Sequence, residues 1–92
     1  MASEELKSET LSQIKLYPNP AQDNIYFEIL LNTSNLGRTL SVYNHAGQLI
    51  ETVPIPESGL LILNTEKYPQ GMYLYQLAEE DTIQCGKFII SR

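Results

Sequence analysis

From residue 14 onward, apolar and polar side chains alternate with a period of two in short runs, and each run is closed by turn-forming residues. A period of two puts successive side chains on opposite faces of an extended chain, so each run predicts a half-buried strand. The clearest is Asn24 to Leu31, where Ile25, Phe27, Ile29 and Leu31 face a core and Tyr26 and Glu28 face out. Ile14 to Tyr17 predicts a shorter strand ahead of it, stopped at Pro18, whose missing N–H and fixed φ exclude it from the middle of a ladder. Thr39 to Tyr43 and Gln48 to Val53 predict a hairpin around NHAGQ, with Gly47 supplying the positive φ of the turn and Pro54 and Pro56 ending the return strand.

Leu60 to Leu63 predicts a fifth strand, and the loop NTEKYPQG leads from it to Gly71. Tyr73, Tyr75 and Leu77 then alternate inward on a sixth strand, with Leu74 and Gln76 on its other face. The last strand is predicted over Thr82 to Ser91. There Ile83 and Cys85 are out of phase with the inward pair Phe88 and Ile90, so Gly86 is expected to mark a bulge. About seven short strands with no helical periodicity predict an all-β fold, a seven-stranded antiparallel β-sandwich of immunoglobulin-like form. Residues 1–13 are polar and aperiodic and read as a flexible linker, leaving residues 14–92 as one folded domain.

Composition narrows the function classes. Six basic against eleven acidic residues give a net charge of -5, which repels a phosphate backbone, so nucleic acid is excluded as an expected partner. No apolar run approaches the roughly 20 residues of a membrane helix, and direct membrane insertion is not expected. Cys85 is the only cysteine, so neither an internal disulfide nor a thiolate metal cluster is expected. The opening MASEELKSETLSQ has no charged start followed by an apolar stretch and reads as an artificially added start or as the cut end of a longer protein, whose own address would then lie upstream.

The residues that carry chemistry elsewhere are poorly arranged for it here. His45 lies in a hairpin turn far from Cys85 in sequence, and nothing orients the two as base and nucleophile. The acidic run Glu79, Glu80 and Asp81 is contiguous, which suits a solvated turn and not two carboxyls flanking a cleft. Asp23 and Asn24 lack the spacing of a dedicated calcium loop, and no phosphate-binding glycine loop or serine elbow is present. Six tyrosines would suit a carbohydrate platform, but β proteins also use tyrosine to pack with its hydroxyl at a wet edge. The residues therefore predict a non-enzymatic domain without cofactor or metal.

Four stretches in this order and at this end of the chain resemble the C-terminal secretion-signal domain of type IX secretion cargo, the Por secretion tail. They are LYPNPAQDNIYFEI, LSVYNHAGQLI, LNTEKYPQGMYLYQL and the terminal KFIISR. The resemblance implies a module fused to the end of a secreted enzyme or adhesin. It implies partners in the type IX translocon, which carries the folded module across the outer membrane, and in a sortase-like protease that removes it near its N-terminal boundary. The cargo would pass through the periplasm and finish on the cell surface or in the medium.

The resemblance places the family's motifs on Tyr17, Pro18, Asn19 and Pro20, on Gly47, on Gly71 and Tyr73, and on the terminal cations Lys87 and Arg92; an arginine stands at the end where the family often has lysine. Turn and core roles compete with recognition at Gly47, Gly71 and Tyr73, while Lys87 and Arg92 carry the best claim to touch a partner. The proline turn is expected to stiffen the boundary between a disposable linker and the folded module. Edge strands near that turn and at the C-terminus are expected to be able to pair two copies of the chain. The competing reading is an independent immunoglobulin-like binding or adhesion module, with glycans as its ligand class.

Overall fold

Each predicted run becomes a strand because its alternation lets one face leave water while the backbone pairs laterally. The computed structural model of the protein describes residues 13–30, 37–79 and 82–92. Seven strands follow in chain order: β1 Gln13–Tyr17, β2 Asn24–Leu30, β3 Thr39–Asn44, β4 Leu49–Pro54, β5 Leu60–Asn64, β6 Gly71–Ala78 and β7 Ile83–Ile90. All pair antiparallel, in a three-stranded sheet ordered β1-β2-β5 and a four-stranded sheet ordered β4-β3-β6-β7. The chain crosses between sheets after β2, β4 and β5, which gives an immunoglobulin-like sandwich with β4 on the larger sheet. No helix occurs among the described residues.

The core forms where the two inner faces meet. Ile25, Phe27, Ile29, Leu61 and Leu63 from the small sheet pack toward Leu40, Val42, Tyr73, Tyr75, Leu77, Phe88 and Ile90 from the large one. Phe27 stands edge-on to both Tyr75 and Phe88, with ring centroids 5.2 and 5.9 Å away, an arrangement that aromatic quadrupoles favour. The inward positions expected on β2, β3 and β6 are buried, with Leu31 lying outside the described residues. Tyr26, Glu28 and Gln76 turn outward but are half-buried by their neighbours.

Three local expectations change. Gln13 was assigned to the linker but opens β1, opposite Leu30. Pro54 was expected to lie beyond its strand but ends β4 opposite Thr39, on the side of an edge strand where no ladder bond is required of it. The bulge lies not at Gly86 but in the β3–β4 pair, where Val42 faces Glu51 and Tyr43 faces Leu49, so Ile50 is the extra residue. β7 pairs with β6 without interruption, and Gly86 sits opposite Tyr75. A Cβ at Gly86 would overlap the Tyr75 ring, so the glycine makes room for a core side chain and does not bend the strand. Ile83 and Cys85 accordingly keep phase with the outward Lys87 and Ile89.

Candidate functional site

The sandwich has two ends, and the motif residues gather at one of them. β1 finishes there at Tyr17 and β2 begins there at Asn24, opposite Asn64 at the end of β5. In the large sheet the same end holds Asn44 opposite Tyr73, and Gly71 opposite Ile90. The other end carries Gln13, Pro54, Ala78 and Ile83, so the chain enters β1 one strand length away from the motifs. The proline turn therefore does not adjoin the linker as expected; all of β1 separates them.

The turn itself is tied to the C-terminal strand. Tyr17–Pro18 and Asn19–Pro20 are both cis peptides, and the chain then swings across from the small sheet to the large one. Asn19 Oδ1 accepts from the Ile89 N–H at 3.0 Å. Ala21 forms a parallel bridge to Ile90, donating to the Ile89 carbonyl at 2.7 Å and accepting from the Ser91 N–H at 2.9 Å. Ala21 is fully buried in consequence. The two segments expected to pair between molecules thus pair with each other, and the sheet edge at Ile89 to Ser91 is covered from within the chain.

Arg92 closes this end. Its guanidinium donates to the carbonyls of Tyr68 at 2.6 Å, Glu66 at 3.1 Å and Gln22 at 3.2 Å, and to that of Thr65. Its backbone N–H donates to Gln70 Oε1 at 3.1 Å, and Nε lies 3.8 Å from Asp23 Oδ1. A planar fork with five donors suits such a set of carbonyls better than an ammonium would. The side chain that sequence assigned to partner contact is directed into its own domain, where it joins the proline turn, the β5–β6 loop and the C-terminus.

Thr65 completes the junction and was not singled out from sequence. Fully buried, it donates through Oγ1 to the Gln22 carbonyl at 2.9 Å and through its N–H to the Asp23 carbonyl at 2.8 Å. Its signal was the turn composition Asn-Thr after a strand: Asn64 Oδ1 accepts from the Glu66 N–H, and the Thr65 carbonyl from the Tyr68 N–H. Tyr68 reaches over to β4 and donates its hydroxyl to Glu51 Oε2. Burial, reinforced by that carboxylate, pushes the Tyr68 phenol well above the ordinary tyrosine range.

The remaining motif residues divide by role. Tyr73 is core, stacked on Phe88 with centroids 5.6 Å apart, and its hydroxyl donates to the Pro69 carbonyl; burial raises its pKa while the nearby Arg92 charge opposes the rise. Gly71 opens β6 at φ 145 and Gly47 takes φ 86 in the hairpin, as its turn required. Asn44 organises that hairpin, its Oδ1 accepting from the N–H groups of Ala46 and Gln48. Tyr17 lies exposed on the outer face of the small sheet, stacked on Tyr26 at 5.5 Å. Lys87 stands apart from the others, on the exposed face of the large sheet opposite Leu74.

Two hollows flank this end. A cleft of about 350 Å³ lies between the β3–β4 hairpin and the β5–β6 loop, and a shallower groove of about 400 Å³ runs past Pro18, Pro20, Asp23 and Tyr26. His45 and Cys85 belong to opposite sides of the large sheet, on the β3–β4 hairpin and on edge strand β7, so they do not form a base–nucleophile pair. Glu79 departs from the expected solvated run. It is half-buried, accepts from Thr82 Oγ1 at 3.3 Å and lies 3.8 Å from the buried Arg38, while Glu80 and Asp81 fall outside the described residues.

The family described as the secretion system C-terminal sorting domain, the Por secretion tail, matches this chain over residues 15–91. The chain belongs to this family. As a sorting domain it is also 31% identical over 67 residues to beta-agarase A of Zobellia galactanivorans, a match that covers 73% of this chain and 12% of that protein. The sorting domain thus spans about an eighth of that relative's length. Among solved structures it is similar to the BSP domain of a biofilm associated protein, with a TM-score of 0.62 at 17% identity, over 86% of this chain and 14% of that one. At that identity the likeness concerns the fold, and it agrees with the immunoglobulin-like sandwich.

Proposed function

We propose that the domain is a non-catalytic address label at the end of a longer exported protein, read by the type IX translocon at the end where its motifs converge. The observation that carries this reading is the division of the molecule. Three motif stretches distant in sequence are joined at one end by Asn19, Thr65 and Arg92, the fourth turns its hairpin at that same end, and the chain enters at the other. Cargo attached upstream of β1 would leave the motif end open to the translocon. A sortase-like protease would then cut in the segment ahead of β1, and the cargo would stay at the cell surface or pass into the medium.

Fusion of the 92-residue chain to a periplasm-directed fluorescent reporter, in a host that carries a type IX translocon, tests this. The reporter is expected outside the outer membrane, and only when the chain is attached at its C-terminal end. Retention of the fusion in the periplasm of a translocon-competent host, with the chain folded, would sink the reading. The glycan-binding alternative draws less support from the geometry. Tyr68, Tyr73 and Tyr75 are buried and Tyr43 donates to Gln76, so of the six tyrosines the stacked pair Tyr17 and Tyr26 alone offers free ring surface.

A further inference from the structure

The cleft between the β3–β4 hairpin and the β5–β6 loop has a composition unlike that of the domain around it. In a chain of net charge -5, none of the described residues lining the cleft is acidic, while His45 and Lys67 lie on its two sides. Ile50, Pro69 and Met72 supply apolar wall, and Asn44 and Gln70 supply amides. Ile50 is present because of the bulge, which adds one residue to β4 beside the hairpin and leaves it 39% exposed. The opposite wall is fixed from behind by the Arg92 bonds to Tyr68 and Gln70.

We infer that this cleft is where a protein partner docks, and that the docked element is an extended segment carrying acidic and apolar side chains. The carboxylates would meet His45 and Lys67, and the apolar side chains would lie on Ile50 and Met72. A lysine in a lining without carboxylates, on an otherwise acidic domain, steers such a segment to one place and rejects basic ones. The inference deepens the sorting reading and rests on it: the partner is a component of the export machinery.

The test compares three fusions in the export assay: the wild-type chain, the cleft pair His45→Glu with Lys67→Glu, and the control pair Gln13→Glu with Lys15→Glu on β1. With histidine counted neutral, both pairs change the net charge equally. Export of the cleft pair is expected to fall about tenfold or more, and that of the control pair to stay at the wild-type level. Failure of the wild-type fusion overturns the sorting reading itself. Export of the cleft pair at the wild-type level overturns only the cleft.

Thermal melting confirms that the variants fold; Met72→Glu, at a strand position 41% exposed, serves if the pair does not. Amide chemical shifts supply a second readout, with a blocked peptide alternating glutamate and leucine as probe and its lysine–leucine counterpart as comparison. Shifts confined to residues 44–50 and 67–72 and specific to the glutamate peptide are expected. An equal response to both peptides, or none to either, overturns the assignment.

Discussion

The two ends of the sandwich are held together by different chemistry. At the end where the chain enters, backbone bonds close the connections, Ile55 N–H to the Arg38 carbonyl and Ile29 N–H to the Gly59 carbonyl, beside the local Thr82–Glu79 side-chain bond and the buried Arg38–Glu79 ion pair. At the motif end, side chains reach main-chain groups far away in sequence: Asn19 to Ile89, Thr65 to Gln22, and Arg92 to four carbonyls. A backbone donor or acceptor is present whatever residue carries it. Only the side chain's identity is then demanded, which is why the motif end shows itself in sequence as a few isolated residues in otherwise ordinary turns. The entry end shows itself hardly at all.

The sharpest way to break the comparison is to remove Arg38. Its side chain is 1% exposed and its partner Glu79 13%, so Arg38→Ala leaves a carboxylate in a site built for a cation. Burial pulls the Arg38 pKa down while Glu79 opposes the fall, which marks a charge whose burial is costly and compensated by its partner. A loss of about 3 kcal/mol is expected in a urea melt, at the low end for breaking a buried pair. Export of the folded fraction should be unchanged. A loss under about 1 kcal/mol would place Arg38 with exposed pairs and erase the distinction between the ends.

Thr65→Val should cost less, about 1 to 2 kcal/mol, because it removes one hydroxyl donor in a buried site while the Gln22 carbonyl keeps Arg92. Arg92→Ala should cost about 1 kcal/mol globally, its side chain being a third exposed. Its effect is expected to be local: amides from Thr65 to Gln70 should exchange faster, while those of β2 and β3 keep their protection. Uniform exchange across the domain would mean that Arg92 supports the whole fold and not one end of it. Arg92→Lys should restore only part of the protection, since an ammonium cannot serve this set of carbonyls with a fixed fork.

Much of this was legible in sequence, for identifiable reasons. Alternation gave away β2 and β6 because each is buried on one face only, and Gly47 because a hairpin needs positive φ. Gly86 was misread because a missing Cβ looks the same whether it bends a strand or admits a ring from across the sheet, and only the register with Tyr75 tells which. Arg92 was read as a free cation because its acceptors are carbonyls, which carry no sequence signal. Glu79 was grouped with its acidic neighbours because its partner, Arg38, stands 41 positions away, with the four strands β3 to β6 between them.

The smallest expected effect concerns Tyr68, whose hydroxyl links the motif-end loop to β4 through Glu51. Tyr68→Phe should cost about 1 kcal/mol at neutral pH, one hydrogen bond to a charged acceptor less the gain from burying no hydroxyl. Its pH dependence separates it from the entry end. The folded-state pKa of Tyr68 is raised above its ordinary value of 10.0, and burial raises those of Tyr73 and Tyr75 as well. Above that pH the unfolded chain releases phenolic protons that the folded one keeps, so folding stability is complete below about pH 10 and declines as pH rises toward the folded values. Urea melts from pH 8 to 11 should therefore show wild type losing stability in the upper part of that range and Tyr68→Phe losing less. Equal alkaline losses in the two proteins would show that the Tyr68 hydroxyl is not held as the structure places it, and that the loop is tied to the sandwich by Thr65 and Arg92 without it.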